Sequence, residues 1–207
     1  MSNDYKKFCL VIKNLLIMLE NRGYKVNKFQ ETLKDETNEN NVKELYNCTN
    51  FEFTLFPQDE LKKRIKKTKI MFTIHEKPTV KLVTSCFSDY KITEFEDTFD
   101  HELIIVLNIS PSNTIRSQNK HIQYFSYQDL YVDKISHALV PKHELITDPD
   151  EITDIVQTHK VYTKWQFPYI NHNDPIARYY GAKNGDLFKI TRINKSSGYY
   201  FAYKCVQ

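Results

Sequence analysis

Leu103-Ile104-Ile105-Val106-Leu107 is an unbroken apolar run, and it limits what this chain can become. Five residues are too few for a buried helix, and three of the five are β-branched. The run therefore predicts a central strand covered on both faces. A strand of that kind needs neighbouring strands and a layer of helix or loop on each side. Candidate neighbours are present. Phe51-Glu52-Phe53-Thr54-Leu55 alternates apolar and polar, as a half-buried strand does. Ile70–Ile74 and Thr79–Thr84 are strand-like, and Gln123–Tyr131 reads as a short aromatic strand plus a turn.

A helix is predicted over residues 4–22, where Phe8, Val11, Ile12, Leu15, Leu16 and Leu19 follow the i, i+3, i+4 spacing. Ser2, Asn3 or Asp4 can cap it, and Gly23 stands where a helix ends in a left-handed residue. Tyr24 is then expected to pack back. Residues 26–50 are polar and Asn-rich, with two short helical patterns and a polar loop at Thr37–Asn41. Residues 88–100 read as a turn or helix carrying five carboxylates, and Asn108–Ser117 as a loop containing Pro111. Together these predict an α/β layered N-terminal domain, a mixed sheet with flanking helices, over residues 1–133.

The remainder, 134–207, is more sharply punctuated and predicts a small α+β domain. Leu139-Val140-Pro141 is expected to end a short strand, since proline forces an extended bend and removes a donor. Asp148-Pro149-Asp150-Glu151 spells a helix start, after which Ile152, Ile155, Val156 and His159 share a face. Asp174-Pro175 repeats that start before Ile176–Tyr180, and Gly181 stops it. Asn184-Gly185 forms a turn. Leu187–Asn194 and Tyr199–Val206 form a hairpin in which Tyr199, Phe201, Tyr203 and Cys205 lie on one face.

Composition narrows the chemistry. Four glycines leave no room for a Gly-rich phosphate loop. Cys9, Cys48, Cys86 and Cys205 lack metal-ligand spacing and read as reduced, mostly buried thiols. His137 and His143 have no third ligand near them, and hydrogen bonding within a turn accounts for both. Phe8–Leu19 is interrupted by Lys13 and Asn14, so a membrane span is not expected and the chain reads as soluble and intracellular. No cofactor and no small-molecule ligand is expected, and no nucleophile–base pair stands out.

The net charge of +3 is too small to argue for nucleic acid. One local run differs: Lys62, Lys63, Arg64, Lys66, Lys67 and Lys69 place six basic residues in nine. It reads as a sequence-blind phosphate contact, as a solvated helix face, or as a nuclear-import signal. Glu60-Leu61-Lys62 has the spelling of a nuclease Glu-x-Lys, a three-residue pattern common by chance.

Four blocks then stand in order: His137-Ala138-Leu139-Val140-Pro141-Lys142-His143, Asp174-Pro175-Ile176-Ala177-Arg178-Tyr179-Tyr180-Gly181, Gly185-Asp186 with Ile190 and Arg192, and Ser196-Ser197-Gly198 with Tyr200. Their order and spacing closely resemble the C-terminal domain of the fifth common subunit of eukaryotic nuclear RNA polymerases. The archaeal members of that family consist of this domain alone. Arg22-Gly23-Tyr24 is similar to the string that ends the first helix of the eukaryotic members. Ala138, where the family more often has Glu, and Trp165 are departures.

The resemblance implies a non-catalytic subunit, α+β overall, with a nuclease-like N-terminal jaw domain and a C-terminal assembly domain. It implies the largest polymerase subunit and other core subunits as partners. Docking would use His137, Leu139, Val140, Pro141, Lys142, His143, Asp174, Pro175, Arg178, Tyr179, Gly181 and Arg192. The jaw would lie near downstream duplex DNA, with weak, non-specific contact through the basic run. The implied compartment is the nucleus for a cellular copy, or the virion or host cytoplasm for a copy in a large DNA virus. A nuclease-type enzyme, or a free regulator competing for polymerase, are the alternatives.

Overall fold

The computed structural model describes residues 3–26, 50–58, 67–73, 101–118, 122–194, 196 and 198–207. The patterns expected within 27–49, Thr79–Thr84 and 88–100 lie outside these residues, as do Glu60, Leu61, Lys62, Lys63, Arg64 and Lys66. The chain divides into two compact units, Met1–Val132 and Asp133–Gln207.

In the first unit, helix α1 (Asn3–Asn21) is followed by β1 (Asn50–Leu55), β2 (Lys67–Thr73) and β3 (His101–Leu107). Then come α2 (Asn113–Gln118), β4 (Ile122–Ser126) and α3 (Tyr127–Tyr131). The sheet order is β1-β2-β3-β4, with β1–β2 antiparallel and the other two pairings parallel. The apolar run is thus an inner strand, with Ile104, Ile105, Val106 and Leu107 all buried. Ile104 and Val106 pair across to Ile70 and Phe72, and Phe8 of α1 meets Phe72 edge-on at 6.2 Å. Ile105 and Leu107 lie on the other face with Tyr124 and Ile115 of α2. Both faces are covered over 104–107, which is why that part of the strand carries no polar residue.

Helix α1 buries Phe8, Val11, Ile12, Leu15, Leu16, Met18 and Leu19. Each fully buried side chain of this size contributes roughly 1.5–3 kcal/mol relative to exposure. Gly23, at φ 90°, turns the chain out of the helix. Its carbonyl accepts from Gln58 N–H, and Lys25 N–H donates to the Phe56 carbonyl, which ties the helix end to the exit of β1. Tyr24 packs back as expected. Its buried hydroxyl accepts from Thr68 Oγ1 at 2.5 Å.

Two expectations are corrected here. The loop expected over Asn108–Ser117 contains the short helix α2, because Ile115 is drawn onto Ile105 and Leu107. Lys67 and Lys69 belong to β2, so the basic run is at least partly strand and not a helix face throughout.

The second unit holds β5 (Lys142–Ile146), α4 (Pro149–Thr158), one 3₁₀ turn (Lys164–Gln166), β6 (Tyr169–Ile170), α5 (Pro175–Tyr180), β7 (Leu187–Asn194) and β8 (Gly198–Val206). Its sheet order is β5-β7-β8-β6. Helix α4 covers one face, packing Ile152, Ile155 and Val156 with Ile146, Leu187 and Cys205. Helix α5 covers the other, packing Ile176, Ala177 and Tyr180 with Phe188, Ile190 and Val206. Alternation along β7 sends Leu187 to the first face and Phe188 and Ile190 to the second.

Candidate partner-docking site

The block 137–143 does not end a strand. Residues 137–141 form an irregular turn, and β5 begins at Lys142. The reason is local. Pro141 has no N–H to give a ladder, whereas Lys142 finds Thr191 of β7 as its register partner. The turn is ordered by its own hydrogen bonds. Val140 N–H donates to the His137 carbonyl at 2.8 Å, and Leu139 N–H donates to His137 Nδ1 at 3.2 Å. Leu139 itself is 86% exposed, an apolar side chain held out on a bonded turn. In the segment before it, Asp133 Oδ1 accepts from Ile135 N–H at 3.1 Å.

Among the described residues β5 pairs only with β7, which leaves its other edge open. An open, ordered edge presents unpaired backbone groups to any extended segment that approaches. Lys142 and Glu144 form an exposed ion pair along it, and the lysine holds the Glu144 carboxyl below the usual range.

His143 Nδ1 lies 2.6 Å from the Pro141 carbonyl. A carbonyl only accepts, so Nδ1 carries the proton in the neutral ring. Burial pushes the His143 pKa down, and Lys204 and Arg192 act in the same direction. The Pro141 carbonyl and Asp174 oppose them.

The block 174–181 is built as its spelling suggests. Asp174 Oδ1 accepts from Ile176 N–H at 2.8 Å, Pro175 opens the helix, and Gly181 closes it at φ 63°. Arg178 and Tyr179 are half-buried, and Tyr179 stands edge-on to Tyr180 at 5.3 Å. Burial raises the Tyr180 hydroxyl pKa.

The two blocks converge on Phe188. The His143 ring meets it at 5.8 Å and the Tyr180 ring at 5.7 Å. Asp174 and Arg192 both lie close enough to His143 to act on its charge. Phe188 joins the two predicted blocks, yet it is not among the predicted contact residues. Its signal in the sequence is an inward position of the β7 alternation. Lys67 and Lys69 belong to the other unit, and no described feature ties them to this site. The arrangement offers an exposed leucine, an open strand edge and a polar rim of Lys142, Glu144, Asp174 and Arg192. That is the anatomy of a docking surface, and among the described residues it contains no nucleophile–base pair.

Residues 132–206 match the family model described as RNA polymerase Rpb5, C-terminal domain. A Dictyostelium discoideum protein, DNA-directed RNA polymerases I, II, and III subunit rpabc1, is 39% identical over 93 residues, covering 44% of this chain and 46% of that protein. The Caenorhabditis elegans subunit RPABC1 is 33% identical over 85 residues, covering 41% of this chain and 39% of its own. The chain thus matches less than half the length of these two relatives. The Arabidopsis thaliana DNA-directed RNA polymerase V subunit 5A aligns over 99% of this chain and 90% of its own length, at 25% identity.

Proposed function

We propose that this chain is a member of the Rpb5 family of RNA polymerase subunits and, on that premise, a non-catalytic subunit of a multisubunit DNA-directed RNA polymerase. One observation carries the reading. The family match at 132–206 coincides with the compact unit Asp133–Gln207, which holds the exposed Leu139 turn and the open β5 edge.

In this reading the C-terminal unit anchors the chain to the largest subunit. Leu139 and Val140 supply apolar contact, and β5 offers its free edge to an extended segment of the partner. Lys142, Arg178 and Arg192 pair with carboxylates, while Asp174, Pro175 and Gly181 shape the corner that presents them. His143 and Tyr179 support the surface from behind. The N-terminal unit is a jaw near downstream duplex DNA, and Lys62–Lys69 contributes weak, salt-dependent contact. Nucleotide addition is the work of other chains. The nucleus is the compartment that the relatives' polymerases imply.

A pull-down of the tagged full-length chain from its source tests this. The two large polymerase subunits should be recovered in equal amounts. Their absence would sink the proposal, and substoichiometric, dissociable recovery would favour a free regulator.

A further inference from the structure

One face of the C-terminal sheet gathers two cations around His143. The register puts His143, Ile190 and Ala202 in one row. Arg192 and Tyr200 are opposite each other in the row on one side, and Phe188 and Lys204 in the row on the other. Rows on one face lie about 7 Å apart, so both long side chains reach over the middle row, where Ala202 is too small to separate them. Helix α5 covers Phe188 and Ile190 on this face. Arg192 and Tyr200 are left exposed, and Ala202 and Lys204 half-buried.

Negative charge is scarce here. β7 and β8 contain no Asp or Glu. Lys142 and Glu144 flank His143 in β5 and so point to the opposite face. Among the described residues neither Arg192 nor Lys204 has an ion-pair partner. Asp174 is the one described carboxylate that acts on His143, and it is engaged with Ile176 N–H as the cap of α5.

We propose that Arg192 and Lys204 together bind one carboxylate of the largest polymerase subunit, and that His143 couples this contact to the uptake of a proton. The proposal rests on the assembly reading and adds Lys204, Tyr200 and a pH dependence to it. The guanidinium fork suits a carboxylate, and the Tyr200 ring across from it keeps water from one side of the pair. Burial, then Lys204 and Arg192, hold the His143 pKa down against the Pro141 carbonyl and Asp174. A carboxylate seated between the cations offsets their push and adds its own pull, so the pKa of the ring rises on binding. Binding then takes up a proton, and the contact tightens as pH falls, by at most about tenfold per pH unit. Nucleic acid phosphate is also an anion. However, a strand brings several phosphates onto the sheet, and Asp174 repels those beyond the first, whereas a single carboxylate fills the site alone.

The test expresses wild-type and variant full-length chains together, under different tags, in the cells the chain comes from. Polymerase is purified through its largest subunit and the ratio of the tags is read. Lys204→Gln should lower its share about tenfold, the scale of a charged hydrogen bond, with its melting temperature unchanged. Purified polymerase should release the wild-type chain about threefold more slowly at about pH 6.0 than at about pH 7.5, and His143→Gln should abolish the difference. A photo-crosslinking amino acid at Tyr200 should join a segment of the largest subunit that contains Asp or Glu. Changing that acidic residue to Lys should readmit a Lys204→Glu chain. An undiminished share of Lys204→Gln overturns the proposal. So does a pH effect that survives in His143→Gln, or a crosslink to nucleic acid or to a second copy of this chain. If the wild-type chain itself is missing from the polymerase, the polymerase reading fails and takes this proposal with it. Equal shares of wild type and variant sink this proposal alone.

Discussion

The imidazole of His143 stands edge-on to the ring of Phe188, with centroids 5.8 Å apart and planes at 83°. This contact joins the first strand of the C-terminal sheet to the core that α5 covers. Burial at this place lowers the pKa of the histidine, because it disfavours the protonated ring.

A pH dependence follows from that contact. The folded pKa of His143 lies below the ordinary 6.5. The neutral ring is therefore the form the fold favours. Its contribution to stability is full above 6.5 and is lost as pH falls from there through the lower folded value. The melting temperature should drop between about pH 7.5 and 5.5, and His143→Gln should drop less over the same window. Parallel curves for the two proteins would show that His143 is not responsible.

Phe188 is fully buried between His143 and Tyr180. Phe188→Ala should cost about 3–5 kcal/mol in urea unfolding, from lost transfer energy and the cavity left behind. Phe201→Ala, on the exposed outer face, should cost less than about 1 kcal/mol, the scale of its cation–π contact with Lys189. Equal losses would contradict the packing described.

Asp174 caps α5 through Ile176 N–H. Asp174→Ala should destabilise the chain by about 1 kcal/mol, and Asp174→Asn should recover most of that, since an amide oxygen also accepts from the helix N-terminus. If Asn were as damaging as Ala, the carboxylate would be acting through charge and not as a cap.

Gly185 and Gly198 both have positive φ, at 89° and 72°. Alanine at either position pays for the left-handed backbone, roughly 1 kcal/mol. At Gly198 the added methyl meets nothing within 4 Å, whereas at Gly185 it would lie 2.6 Å from Lys164 Nζ. Gly185→Ala should therefore lower the urea midpoint further than Gly198→Ala. Lys164→Ala should remove most of the difference, because the lysine end makes the one close approach and the Trp165 ring, at 3.6 Å, would be in ordinary contact.

Much of this molecule was legible in order along the chain. The run at 103–107 required a strand buried on both faces, and the i, i+3, i+4 spacing in α1 required one long buried helix face. Asp148-Pro149, Asp174-Pro175 and Gly181 announced their caps, because capping depends on atoms only two or three residues apart. The ordered blocks from His137 onward carried the family resemblance. Long-range pairing decided what local rules could not. The partner Thr191 set the start of β5 after Pro141, forty-nine positions away in the chain and invisible to any local pattern. Burial of Ile115 on the first sheet made a helix of an expected loop, since short helices owe their stability to packing more than to propensity. Phe188 became the meeting point of two motifs only when β5 and α5 closed on β7. Caps, turns and apolar periods are short-range physics and can be read along the chain; register and the company a side chain keeps arise only when distant segments exclude water together.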